Sequence, residues 1–131
     1  MFFKDQRKDA ARQLMAAFNA HDHLALAKCL TADCIFIDSA GGRIEGRSGC
    51  VEATRLFMKL EPEFHVEVDS YSVVGDEVLM QGETTARDPL VAKDRLWRAK
   101  VEDGRISEFQ TYCDGEPRQL ARLLGQGADH M

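Results

Sequence analysis

The stretch from Lys93 to Asp114, KDRLWRAKVEDGRISEFQTYCD, constrains the fold more than any other part of this sequence. It reads as two strands, Asp94 to Glu102 and Arg105 to Cys113, joined at Asp103-Gly104, the dipeptide that best tolerates the positive φ values of a type I′ turn. That turn predicts a register in which Arg95, Trp97, Ala99 and Val101 share one face, and Ile106, Glu108, Gln110 and Tyr112 share one face of the second strand. Aromatic and ionisable groups set among aliphatics suit the wall of a cavity better than a dry core.

Upstream, Ala11, Leu14, Met15 and Phe18 follow helical spacing and predict an amphipathic helix from about Lys4 to Ala20. Asp22 is placed to cap a second, short helix that buries Leu24, Leu26, Ala27 and Leu30. CIFID, residues 34 to 38, is a β-rich run with Cys34, Phe36 and Asp38 on one face. Gly41 and Gly42 turn the chain, Arg43 to Glu45 can return as a brief strand, and Ser48 can cap a third helix running to Leu60 with Val51, Ala53, Leu56, Phe57 and Leu60 apolar. Beyond Pro62, Phe64 to Val74 and Glu77 to Arg87 alternate as strands about a Gly75-Asp76 turn, and Glu116 to Leu124 reads as a terminal helix. Three helices followed mainly by antiparallel strands define an α+β domain in which a curved sheet wraps the helices.

The 131 residues suffice for one domain over 1–131, with its core at about 10–114 and a helix and tail at 116–131. A net charge of -5, with no basic run beyond two residues, argues against a nucleic-acid surface. The charged start MFFKDQRKDAAR and the absence of a long apolar segment predict a soluble, cytoplasmic protein with no membrane partner. Cys29, Cys34, Cys50 and Cys113 form no CxxC pair and read as reduced apolar fillers. His21-Asp22-His23 splays at a helix start with no third ligand at a usable spacing, so it reads as capping, and no metal is expected.

The order of elements, together with ADCIFIDSAGGRIEGRSG and the hairpin W…VEDGRISEFQTYCD, resembles the SnoaL-like branch of the nuclear-transport-factor-2-like superfamily, over roughly Leu14 to Asp114. The resemblance implies a cone-shaped fold with an apolar pocket open at one end. Its members include ketosteroid isomerases, polyketide cyclases, dehydratases and epoxide hydrolases, so the fold implies a pocket and leaves the reaction open.

By that resemblance, Asp38 in IDSAGG stands where the isomerases place the Asp that moves a proton, and Asp94 lies near the place of their second, hydrogen-bond-donating Asp. Leu14 occupies the position of their donor Tyr, so that hydrogen bond is absent, and Tyr112 is an alternative donor. The facing of Asp94 and of His65 stays open. Asp38 also has a plainer reading, as the Asx-type cap of the Gly41-Gly42 turn. The hydrolase variant needs an Arg-x-Asp pair and a last-strand Asp, whereas Arg87-Asp88 lacks the spacer and Thr111 stands where the acid would fall.

The expected catalytic residues are therefore Asp38, Asp94 and Tyr112, and the expected ligand contacts are Leu14, Phe18, Phe36, Phe57, Met58, His65, Met80 and Trp97. The expected ligand is a small apolar carbonyl or hydroxy compound, steroid- or polyketide-like, handled without a cofactor. A non-catalytic binding or assembly module is the alternative, and apolar residues such as Leu79 on the outer sheet face predict a homodimer through sheet faces.

Overall fold

In the computed structural model, residues 5–113 are described, and the helix expected from Glu116 lies outside them. Helix α1 spans Gln6–Asn19, capped by the Asp5 carboxylate accepting from the Arg7 N–H, and buries Ala10, Ala11, Leu14, Met15, Ala17 and Phe18. His21 then adopts φ 53°, and Asp22 caps α2 (His23–Cys29) by accepting from the Leu24 and Ala25 N–H groups. Leu24, expected on the buried side of α2, is 69% exposed.

Strand β1 covers Leu30–Ile37 and starts directly at the end of α2, earlier than the expected start at Cys34. The reason is tertiary: Leu30 pairs with Ile106 of the last strand, and a register irregularity between Leu30 and Ile35 absorbs the polar residues between them. After β2 (Arg43–Glu45), helix α3 runs Arg47–Leu60 from Gly46 as its N-cap, so Ser48 lies inside the helix. Its buried stripe is Cys50, Thr54 and Met58, while Leu56 and Leu60, expected inside, are exposed. The smaller Cys50 and Thr54 side chains let the helix lie close on β1, and this turns the two leucines outward.

Strands β3 (His65–Val74), β4 (Glu77–Thr85), β5 (Asp94–Glu102) and β6 (Arg105–Cys113) follow, with a single 3-10 turn at Val91–Lys93. Among the described residues these form one mixed sheet in the order β2-β1-β6-β5-β4-β3, with β1 parallel to β6 and the other pairs antiparallel. The expected α+β architecture is the observed one. The turn between β5 and β6 has φ 52° at Asp103 and 79° at Gly104, the pair of positive values that a type I′ turn requires.

Bulges bend the sheet around α1. At the β3 irregularity between Val68 and Ser70, a Cβ on Gly82 would stand 1.9 Å from the Glu67 carbonyl oxygen, so only glycine fits. Asn19 ties the end of α1 to β3, its Nδ2 donating to the Val66 carbonyl at 2.9 Å and its Oδ1 accepting from the Val66 N–H at 2.8 Å. Leu14, Leu26, Leu30, Met80 and Ile106 are fully enclosed between helices and sheet, and each such side chain contributes about 2 kcal/mol of burial free energy.

Two bulges alter the predicted faces of the hairpin. Asp94 pairs with Cys113 but Leu96 with Tyr112, so Arg95 is an inserted residue in β5. Lys100 pairs with Glu108 but Val101 with Ile106, which leaves Ser107 inserted in β6. Ile106 therefore turns into the core, and Glu108, Gln110 and Tyr112 share the opposite, outer face.

Candidate functional site

Between α1, α3 and the concave side of the sheet lies a cavity of about 390 Å³. Its helical wall is Met15, Phe18, Ala53, Thr54 and Phe57, and its sheet wall is Phe36, Val66, Trp97, Phe109 and Thr111. Phe18, Phe36 and Phe109 pack mutually, with ring centroids 5.4 to 6.3 Å apart, and Phe57 meets Phe64 edge-on at 5.0 Å. Asp38, Ala40, Gly42, Ile44 and Leu90 also line it and are exposed, which marks the opening at that end.

Two carboxylates, Asp38 and Asp94, stand in this largely apolar lining, whose other polar side chains are those of Ser39, Thr54, Thr111 and the Trp97 indole. Asp38 follows the last residue of β1, where its Oδ1 accepts from the Ala40 N–H at 2.9 Å and the Gly42 N–H at 2.8 Å. The plainer reading of Asp38 as a turn cap is thus correct, yet the side chain still belongs to the cavity. Oδ2 is left uncovered because residue 42 is glycine: a Cβ there would lie 2.7 Å from it.

Asp94 opens β5 immediately after the 3-10 turn, and the inserted Arg95 decides its direction. In an unbroken strand Asp94 and Trp97, three positions apart, would face opposite sides; the bulge brings both into the cavity lining. Burial pushes the Asp94 carboxyl up to about 7, with a smaller contribution from the neighbouring Asp38 charge. No hydrogen bond from the described residues offsets that burial.

Glu61 secures the segment before Asp94. It is 6% exposed, and its two carboxylate oxygens accept from the Arg87 N–H at 2.7 Å and the Asp88 N–H at 2.9 Å. The Arg87 guanidinium donates to the Leu60 carbonyl at 2.7 Å, and the Thr84 hydroxyl donates to the Asp94 carbonyl at 2.9 Å. These bonds hold the connection that carries Leu90 and Val91 into the lining. No sequence signal singled Glu61 out, because a Glu at a helix end beside Pro62 ordinarily faces water.

Of the expected ligand contacts, Phe18, Phe36, Phe57 and Trp97 line the cavity together with Asp38 and Asp94. Leu14, Met58 and Met80 do not; they are buried in the core behind the lining. His65 is exposed on β3, because alternation about the inward Val66 turns it to the outer face. Tyr112 is 3% exposed but stands outside the cavity, across from Leu96 and close to Arg98, so it is not placed to serve a ligand there. Thr111, Thr54 and Val91 are lining residues that the sequence patterns did not single out as ligand contacts.

The thiols of Cys34 and Cys50 add no nucleophile. Cys34 and Cys50 are fully buried, and burial, with a smaller effect from Cys50, pushes the Cys34 thiol up to about 12. Among the described residues no group of three His, Cys, Asp or Glu side chains could hold a metal ion, and no helix is long and apolar enough to cross a membrane.

The profile of the SnoaL-like domain matches residues 11–109. The chain belongs to the SnoaL-like domain family. A sequence comparison with curated proteins finds no match. Among solved structures, a candidate SnoaL-like polyketide cyclase from Shewanella denitrificans aligns with a TM-score of 0.73 at 19% identity, over 94% of this chain and 100% of that one. An epoxide hydrolase of the LEH-like type from M. tuberculosis aligns at 0.71 and 20% identity, over 91% and 95% of the two chains. A protein of ketosteroid isomerase-like fold from Catenulispora acidiphila aligns at 0.71 and 17%, over 82% and 87%. At these identities the likeness establishes the fold alone.

Within this SnoaL-like domain, an epoxide hydrolase triad is not assembled. Arg87 and Asp88 lie beyond the end of β4 and outside the lining, and the cavity-facing position on the last strand is Thr111.

Proposed function

We propose that this SnoaL-like domain binds a small, largely apolar carbonyl or hydroxy compound, steroid- or polyketide-like, and moves a proton on it without a cofactor, in an isomerisation, cyclisation or dehydration. The observation that carries the reading is the pair Asp38 and Asp94 in one apolar cavity, with the Asp94 carboxyl pushed up to about 7. Two neighbouring carboxyl groups whose environments differ in this way can divide the roles of base and acid. Asp38, through its uncovered Oδ2, takes the proton from carbon or hydroxyl. Asp94, still carrying its own proton near neutrality, donates a hydrogen bond to the oxygen on which negative charge develops. The aromatic walls exclude water and hold the ring system.

Screening ketosteroid and hydroxy-ketone substrates against the wild type, Asp38→Asn and Asp94→Asn tests this. The expectation is a loss of about 10²–10⁴-fold in turnover for Asp38→Asn, because the amide cannot take a proton. Turnover unaffected by that substitution removes Asp38 from the mechanism.

A second reading, a non-catalytic binding or assembly module, is favoured by the two turn hydrogen bonds on Asp38 Oδ1, which give that residue a structural reason to be present. Under either reading we infer a homodimer through the outer sheet face that carries Leu79. A monomer in light scattering at micromolar concentration would contradict it.

A further inference from the structure

The deep wall of the cavity contains a polar group that the acid–base pair does not use. Trp97 is 3% exposed and lines the cavity, and among the described residues its indole N–H donates to no protein acceptor. A buried Trp N–H ordinarily finds a partner, since leaving such a donor dry costs about 1–3 kcal/mol. Directly across the ladder from Trp97 is Thr111, whose side chain also lines the cavity and whose hydroxyl has no hydrogen bond among the described residues. Cross-strand partners of this kind have Cβ atoms about 5 Å apart, so the indole and the hydroxyl form one patch in a wall that also holds Phe18, Phe36 and Phe109.

We propose that Trp97 and Thr111 form a second polar subsite that accepts an oxygen atom of the ligand, remote from the one at Asp94. Water can satisfy the N–H while the cavity holds solvent. A wholly apolar ligand would displace that water and leave the donor orphaned, so the cavity discriminates in favour of a molecule that brings its own acceptor. Two ladder steps separate Asp94, paired with Cys113, from Trp97, paired with Thr111, roughly 7 Å at the usual rise, and the reach of the two side chains adds to it. The ligand class is therefore narrowed to a compound with two oxygen functions spaced apart on one apolar ring skeleton. One end is held at the carboxyl pair and the other, a carbonyl, ether or hydroxyl oxygen, at the indole N–H. This rests on the proposed function for the occupant of the mouth, but the subsite itself is read from binding and not from turnover.

Trp97 is the only tryptophan in the chain, so one indole N–H resonance reports the subsite. The isotopically labelled protein is titrated with androstenedione, which has a carbonyl at each end of its skeleton, and with the mono-ketone of the same skeleton that lacks the oxygen on the five-membered ring. The diketone is expected to move the indole resonance downfield and to bind about five- to tenfold more tightly than the mono-ketone, the usual worth of one neutral hydrogen bond. Trp97→Phe, which keeps an aromatic ring but deletes the donor, is expected to abolish that preference in calorimetry, bringing the two affinities within about twofold of each other. An indole resonance unmoved by the diketone, or a preference that survives Trp97→Phe, overturns the subsite. Neither outcome bears on whether Asp38→Asn loses turnover, so the two proposals fail separately.

Discussion

The two faces of the β5–β6 hairpin treat polar groups in opposite ways. On the outer face Arg98 donates to Glu77 at 2.7 Å, to Glu108, and to Gln110 at 3.2 Å. On the cavity face of the same strands, the Asp94 carboxyl, the Trp97 N–H and the Thr111 hydroxyl have no hydrogen-bond partner among the described residues. A polar group closed in its own network specifies structure, and one left open in an apolar wall is available to a ligand. The alternation of side chains puts these two regimes one residue apart.

The sharpest way to break the contrast is to open the outer network. The Arg98 side chain is 14% exposed, so Arg98→Met would keep its packing but leave Glu77 and Glu108 facing each other without a cation. We expect a loss of about 3 kcal/mol in denaturant unfolding, with ligand affinity of the folded protein unchanged. A large change in affinity at constant stability would show that the outer face is not purely structural.

Next in size is Glu61, a carboxylate closed on backbone donors where Asp94 is left open. Glu61→Ala removes the acceptor for the Arg87 and Asp88 N–H groups and is expected to cost about 2 kcal/mol. It should also weaken ligand binding, because the freed connection carries Leu90, Val91 and Asp94. A stability loss with undiminished affinity would separate the clamp from the site.

Asp94 itself gives a pH-dependent test. Its folded carboxyl titrates at about 7 and its unfolded one near 3.8, so below the lower value both states hold the proton and no penalty exists. Between the two, the unfolded state releases a proton that the folded state keeps, and stability falls as pH rises; above about 7 the penalty is complete. Asp94→Asn is therefore expected to leave stability unchanged at pH 3.5 and to raise it at pH 8. The gain is about 1–2 kcal/mol after discounting for the water that reaches a half-buried carboxylate. If Asp94 donates to the substrate as a neutral acid, wild-type turnover should decline as pH passes through about 7. A flat profile across that range would remove the proton on Asp94 from the mechanism.

Much of this contrast was legible in the sequence, and the missing part has a single physical origin. Asp103-Gly104 set the hairpin, and IDSAGG located Asp38 at the end of its strand beside the Gly42 that leaves Oδ2 open. The inserted residues Arg95 and Ser107 were not legible, because a bulge is settled by how strands meet across the sheet and has no compositional mark of its own. Each bulge reverses every side chain on one side of it. That is why the sequence alone leaves the facing of Asp94 open, groups Ile106 on one face with Glu108, Gln110 and Tyr112, and points to Tyr112 in place of its neighbour Thr111. Leu14, Met58 and Met80 look like ligand contacts in the sequence for a different reason. Periodicity separates inside from outside but does not separate the first layer around a cavity from the second.

The smallest predicted effect on stability concerns Asp38, the one residue that belongs to both regimes. Its Oδ1 is closed on the Ala40 and Gly42 N–H groups, and its Oδ2 is open. Asparagine retains an oxygen in the Oδ1 position, so Asp38→Asn should keep both turn hydrogen bonds and shift stability by no more than about 0.5 kcal/mol. Alanine removes the acceptor and should cost about 1 kcal/mol, as loss of a capping side chain does. The two substitutions thus divide what the carboxylate does for the turn from what it does for a substrate. If both abolish turnover while only alanine lowers stability, the open oxygen carries the chemistry. If asparagine proves as destabilising as alanine, the negative charge itself holds the turn, and loss of activity in Asp38→Asn could no longer be assigned to proton transfer.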